Sequence, residues 1–255
     1  LFGMGFAVML GRAQAVGRNF VPVYLRRTLG LLVFGLVHAV LIWSGDILVS
    51  YALTALVLLL FRDTPTERLW RWGGGIWAVM IGLTLLMTAM MAMGDGTQDP
   101  NAGKAAADIA DRRAAEIAAY STGSYAAATA MRIRTLLHML GFNVFLVPMV
   151  LGMFLVGAWL VRSGAMAQPD GHRRLFVRLG WIGGVAGLAL TAASVAIDPN
   201  PGGPGQPSPA TMLAMALHMA GSPLMALGYV GLLALAWQAG ARRLAVLAPA
   251  GRMAL

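Results

Sequence analysis

Cysteine is absent from this chain of 255 residues, which excludes disulfides, thiolate nucleophiles and thiolate-ligated metals. Charge is scarce: 11% of the residues are Asp, Glu, Lys or Arg, against about 25% in an ordinary soluble domain. The glycine signatures of phosphate loops, nucleophile elbows and dinucleotide sites are missing too, because the run Gly73-Gly74-Gly75 opens an apolar segment rather than following a strand. No two histidines stand three or four residues apart, and no carboxylate accompanies one on the same helix, so no metal site is expected. What fills the chain instead is apolar: 58% of it is hydrophobic. That composition reads as a membrane protein with the lipid bilayer as its first partner.

Apolar runs and their breakers divide the chain into six nearly complete spans, over 28–43, 46–61, 72–93, 136–161, 174–197 and 210–238, after a partial one at the start. A hydrocarbon core of about 30 Å needs roughly 17 to 25 helical residues. Backbone polar groups in lipid must be satisfied within the segment, and long runs without two-residue alternation select helices over a barrel. The fold class expected is therefore all-α, a polytopic transmembrane helix bundle forming a single domain. The first two spans are short and should meet in a tight turn at Ser44-Gly45-Asp46. The opening residues look like the end of a helix already under way and the closing "LAPAGRMAL" like a loop leading onward, so a piece of a longer protein is expected.

The net charge of +9 would suggest nucleic acid in a soluble protein, but here the arginines sit in short loops between apolar runs. Arg12, Arg18, Arg26 and Arg27, then Arg62, Arg68 and Arg71, then Arg162, Arg173, Arg174 and Arg178, and last Arg242, Arg243 and Arg252 make up 14 of the 19 basic residues. They alternate with the loops at 44–46, 94–135 and 198–209, which is the positive-inside pattern: the basic side should be cytoplasmic, and no nucleic-acid partner is implied. The 94–135 segment is the one sizeable piece outside the membrane. Its Ala-rich part places Ile109, Ala110, Ala114 and Ile117 on one stripe, which predicts an amphipathic helix over the outer mouth of the bundle. Such a segment is either a functional lid or a plain connector. The Pro/Gly-rich 198–209 should be an irregular turn.

Ionisable residues inside a membrane cost roughly 2.5 to 3.5 kcal/mol for Asp, Lys or Arg at a helix centre, so each asks for a reason. His38 lies in the middle of an apolar run, 11 residues after Arg27. Eleven steps of about 100° return to nearly the same face, some 16 Å along the axis. Arg27, with Arg26 beside it, could then hold phosphates at a cytoplasmic mouth while a neutral His38 acts as general base deeper in. The plainer alternative has Arg27 anchoring the helix end and His38 hydrogen-bonding a neighbouring helix. Asp46 is either an N-cap or the group that orients an acceptor or a histidine. His138, near Arg134 and Asn143, and His218, near Ser222 and Tyr229, either converge with His38 in one polar cavity or serve as interhelical hydrogen-bonders. His172 lies in a loop and should be solvated. Gly152 and Gly157 fit helix contacts, and Trp43, Trp70, Trp72 and Trp159 an interfacial belt.

The segments "YLRRTLGLLVFGLVHAVLIWSGDILVSYALTALVLLLFR", "YSTGSY", "LGMFLVGAWLVRSG", "HRRL", "ALGYVGLLAL" and "LAPAGRMAL" resemble, in order, the YeiB family of bacterial inner-membrane proteins, domain of unknown function 418. The block from His38 to Leu48 is its most specific part. The resemblance implies that spans are missing at both ends. It also implies a distant relation to transmembrane acyltransferases, which take an acyl group from a cytoplasmic donor such as acetyl-CoA; one group of those carries an Arg and a His with ten residues between them, as Arg27 and His38 have. The function expected is acyl transfer at the membrane, with acyl-CoA as co-substrate and no permanently bound cofactor, His38 and Asp46 catalytic, and Arg27, Arg26, His138 and His218 binding substrate. The alternatives are a transporter or channel for a small solute and a non-catalytic membrane partner.

Overall fold

The computed structural model describes residues 2–93, 102–200 and 208–240. Within them the elements are α1 (Phe2–Ala15), α2 (Phe20–Leu41), α3 (Leu48–Leu58), α4 (Thr66–Met93), α5 (Ala102–Ser121), α6 (Tyr125–Arg162), α7 (Arg173–Arg178), α8 (Gly187–Ile197) and α9 (Pro209–Gln238). No strand occurs among the described residues. Arg242, Arg243, Arg252 and most of the Pro/Gly-rich turn lie outside them.

Local chemistry sets the helix ends. Gly17, at φ +63°, closes α1, a backbone state that costs glycine nothing. Asn19 then caps α2, its side chain accepting from the Val21 N–H at 3.1 Å. With that cap and Pro22 in the tolerant first turn, α2 starts eight residues before the expected span. Arg26 and Arg27 therefore belong to the helix itself rather than to the loop before it. Ser124 caps α6, and Ser208 with Thr211 forms a capping box on α9 behind Pro209.

Among the described residues five helices are long and apolar enough to cross a membrane: 20–41, 66–93, 125–162, 170–197 and 209–238. The expected sixth span, over 46–61, is instead a short apolar helix, α3 with a 3₁₀ turn to Phe61. The turn at Asp46 and the Arg62–Pro65 turn bound it too closely for the roughly 17 residues a span requires. The α6 helix differs in the other direction. It runs 38 residues: no breaker stands between Ser124 and the expected start at 136, and the helix continues through Pro148.

The core lies where α1, α2, α3, α4 and α6 meet, around Phe6, Leu10, Tyr24, Leu58, Leu69 and Leu155. Phe6, Phe20 and Tyr24 pack ring on ring, with centroids 5.1 to 5.3 Å apart, and the Tyr24 hydroxyl donates to the Ala55 carbonyl at 3.0 Å, joining α2 to α3. Small residues set the second contact, of α8 and the π-helical Leu179–Ala186 with α9. A Cβ on Gly228 would lie 2.5 Å from the Gly184 nitrogen, so these backbones touch directly, as lipid-embedded helices do when dispersion replaces the hydrophobic effect. Gly152 likewise meets Gly73, whereas at Gly157 a Cβ would make only an ordinary contact, at 3.4 Å. The outside is apolar: Phe34, Val144, Trp181 and Leu233 are exposed, as a lipid-facing surface requires.

Two contacts fix which ends of the helices lie together. The Arg162 guanidinium donates to the Arg62 carbonyl, bringing two basic loops to one end of the bundle. At the other end the Tyr125 hydroxyl donates to the Leu41 carbonyl at 2.8 Å.

Candidate functional site

His38 sits one turn from the end of α2, where its own carbonyl accepts from the N–H groups of Ile42 and Trp43. The chain then turns through Ser44, Gly45 and Asp46 into α3. Gly35 lets α3 close against α2: a Cβ there would lie 2.9 Å from the Val49 nitrogen and 3.0 Å from the Leu48 Cβ. That approach delivers Asp46 to His38, one turn further along the same helix.

The His38 Nδ1 lies 2.5 Å from the Asp46 Oδ2. The other carboxylate oxygen accepts from the Leu48 N–H, so one side chain starts α3 and faces the histidine at once. Asp46 is 3% exposed; a carboxylate that secluded needs both a dipole and a cationic or donor partner. The histidine is 38% exposed although its Nδ1 is buried; the approach to Asp46 is an ion-pair contact without hydrogen-bond alignment, and the accessible part of the ring is on the side away from Asp46. The N-cap position of α3 is Ile47 rather than Asp46; Asp46, one residue earlier, accepts from the first N–H of the helix and lies against the histidine.

Arg27 lies on the same unbroken helix, eleven residues and about 16 Å from His38 along the axis. Its Nη1 is 3.0 Å from the Met9 sulfur, and it borders a cavity of about 200 Å³ between α1, α2 and α3, with Tyr24 and Tyr51 among the lining residues. Arg26 is exposed beside it. The structure does not bring the other histidines to His38. His138 on α6 and His218 on α9 are both exposed, and no hydrogen bond or ion pair joins either to a described residue. Asn143, near His138 in sequence, turns inward and donates to the Met139 carbonyl of its own helix. His172 is half-buried, with Nδ1 3.1 Å from the Gln168 carbonyl.

Two features escaped the sequence reading. Tyr125 ties the start of α6 to the end of α2, and the Arg132 guanidinium lies over both Tyr120 and Tyr125, at 5.7 and 5.4 Å from the ring centroids. The two tyrosines seven and twelve positions before an arginine, on either side of the α5–α6 turn, were the available signal. The α5 helix contacts α6; of its apolar stripe Ile109 is half-buried, while Ala110, Ala114 and Ile117 are exposed.

The family described as Protein of unknown function (DUF418) matches residues 160–255. The chain is also 36% identical over 198 residues to Uncharacterized protein YxaH of Bacillus subtilis, covering 74% of this chain and 47% of the relative. It is 37% identical over 89 residues to Uncharacterized protein YeiB of Escherichia coli, covering 34% of this chain and 21% of the relative. The chain belongs to the DUF418 family. This DUF418 chain spans about half the length, or less, of the curated relatives it matches. With its five long apolar helices it is a membrane protein of the YeiB type. No solved structure matches it.

Proposed function

We propose that this protein transfers an acyl group from a phosphate-bearing thioester, an acyl-CoA, to an acceptor at the opposite end of the bundle. The observation that carries this reading is the His38–Asp46 pair: a secluded carboxylate beside Nδ1 of a histidine whose other side is open. A carboxylate there favours the Nδ1–H tautomer and stabilises the imidazolium, leaving Nε2 as the basic atom. Nε2 takes the proton of the acceptor hydroxyl as its oxygen attacks the thioester carbonyl. The C–S bond then breaks, and the imidazolium returns that proton to the leaving sulfur. Arg27 offers a fork to the donor phosphates on the same helix face. The basic loops support a cytoplasmic location for that end, in a reading that has the bundle in a bacterial inner membrane and the 94–135 segment outside.

The test is calorimetric titration of acetyl-CoA into the solubilised full-length protein and its Arg27→Ala and His38→Ala variants. Saturable binding, weakened without Arg27 and kept without His38, is the expected result. No binding to the intact protein would sink the reading.

One observation favours a second reading, movement of a small solute. The span over 170–197 is interrupted by the eight-residue π-helical Leu179–Ala186, and irregular helices at membrane depth mark substrate paths in transporters. Solute flux into vesicles holding the protein, with no acyl transfer, would move this reading to first place.

A further inference from the structure

We infer that the donor site takes a long acyl chain, which lodges in a second, apolar cavity that adjoins the one beside Arg27. This rests on the reading of Arg27 as donor anchor and adds the class of acyl group. The second cavity is the larger, about 310 Å³, and lies among α1, α4, α6 and α9. It shares Phe2 and Tyr51 with the first as a common wall. The Phe2 and Phe154 rings stack at 4.7 Å and Tyr51 meets Phe154 edge-on at 5.5 Å, so three aromatic rings form the waist between the two spaces.

The chemistry of the walls changes across that waist. On one side is the Arg27 guanidinium with Tyr24; on the other the lining is Met153, Leu160, Pro223, Leu227 and their apolar neighbours. The one indole on that side has its N–H donated to the Met149 carbonyl at 2.9 Å, which leaves the wall without a free donor there. Tyr51 borders both spaces, and among the described residues its hydroxyl makes no hydrogen bond. A ligand that satisfies the whole surface is cationic-site seeking at one end, polar at the waist and hydrocarbon at the other. A thioester of coenzyme A with a long alkyl chain has that order of groups: phosphates, a polar link, then methylenes. An acetyl group would leave the apolar space unfilled by the donor, which then gains nothing from burial of apolar surface there.

The test is photolabelling of the full chain in lipid nanodiscs with a sixteen-carbon acyl-CoA carrying a diazirine near the chain end, mapped by peptide mass spectrometry. Label is expected on Met153, Leu227 or Val230, several-fold reduced by Ala226→Phe, which fills the cavity, and about tenfold by Arg27→Gln, which removes the charged donor to the phosphates. On the unmodified protein, palmitoyl-CoA should compete for the label better than octanoyl-CoA, and octanoyl-CoA better than acetyl-CoA. This second measurement does not depend on a variant folding. Label spread over the exposed Val185 and Leu232 as densely as over the cavity, or equal competition by all three esters, overturns the inference. His38→Ala should leave the labelling unchanged. Labelling without any acyl transfer by the intact protein would keep this site and remove the transferase reading, whereas transfer of acetyl groups without cavity labelling would do the reverse.

Discussion

Asp46 does two things with one carboxylate, and substitutions can separate them. Asn keeps an oxygen for the Leu48 N–H but puts a neutral amide beside Nδ1, so the start of α3 survives while the tautomer and the imidazolium lose their support. With donor saturating, Asp46→Asn should lower the rate of acyl transfer by about 100-fold or more, with acetyl-CoA affinity unchanged; stopped transfer assays alongside calorimetry check both halves. Tyr125 is the opposite kind of residue, exposed and bonded to a backbone carbonyl across the outer end of the bundle. Tyr125→Phe keeps the ring under Arg132 and loses one hydrogen bond, so it should cost about 1 kcal/mol of stability, read as a lower midpoint in thermal unfolding in detergent. The pairing of His38 with Asp46 was legible as two candidate residues but not as a contact. Eight residues apart, they face each other only because the turn reverses the chain, and helix periodicity does not describe a turn. Whether His138 and His218 face His38 depends on how helices far apart in sequence pack, and nothing in either helix's own pattern encodes that.

Among the elements, α2 and α3 form a hairpin whose closeness is set by Gly35. A methyl group at that position would press on the Val49 nitrogen and the Leu48 Cβ, both in the first turn of α3, where neither can swing away as a flexible side chain would. Gly35→Ala should therefore displace the start of α3 and separate Asp46 from His38, costing about 1 to 3 kcal/mol as overpacking does. Transfer activity should fall more than donor binding, since Arg27 lies on the far side of the hairpin from this contact. The same variant with near-normal activity would show that the pair tolerates a looser turn. Helix existence was easy to read here because apolar runs of spanning length admit few other structures. Lengths were harder. The α2 helix gained two turns from the Asn19 cap and the long apolar stems of Arg26 and Arg27, which a hydropathy run treats as loop. The α3 helix fell short because hydropathy counts apolar residues without asking whether a turn has consumed the ends. The π-helical stretch gave no signal beyond its glycines, Gly180, Gly183 and Gly184, which tolerate many geometries.

At the scale of the whole molecule, the contacts of Arg162 with Arg62 and of Tyr125 with Leu41 require the chain to cross from end to end between these points. The helix order α2, α3, α4, α6 then alternates direction, as the arginine distribution asked. A short α3 fits this only if it passes between α2 and α6, buried along Ser50, Ala52, Thr54 and Ala55, and reaches the basic end through the 3₁₀ turn at Leu59–Phe61. Which end faces the cytoplasm is a matter of charge, and it is open to a direct test because the chain has no cysteine. Single cysteines at Asp63, in the turn after α3, and at Thr122, between α5 and α6, are both at exposed positions. A membrane-impermeant maleimide added to intact cells should modify Thr122→Cys and spare Asp63→Cys until the membrane is opened. The reverse pattern would place the arginine-rich end outside and the donor site with it, where acyl-CoA is not found. Equal labelling of both before opening would mean that α3 and α4 do not carry the chain across. The charge arrangement predicts the first pattern, since each translocated arginine near a span end opposes insertion, and the basic residues near Arg62 and Arg162 act together on one end.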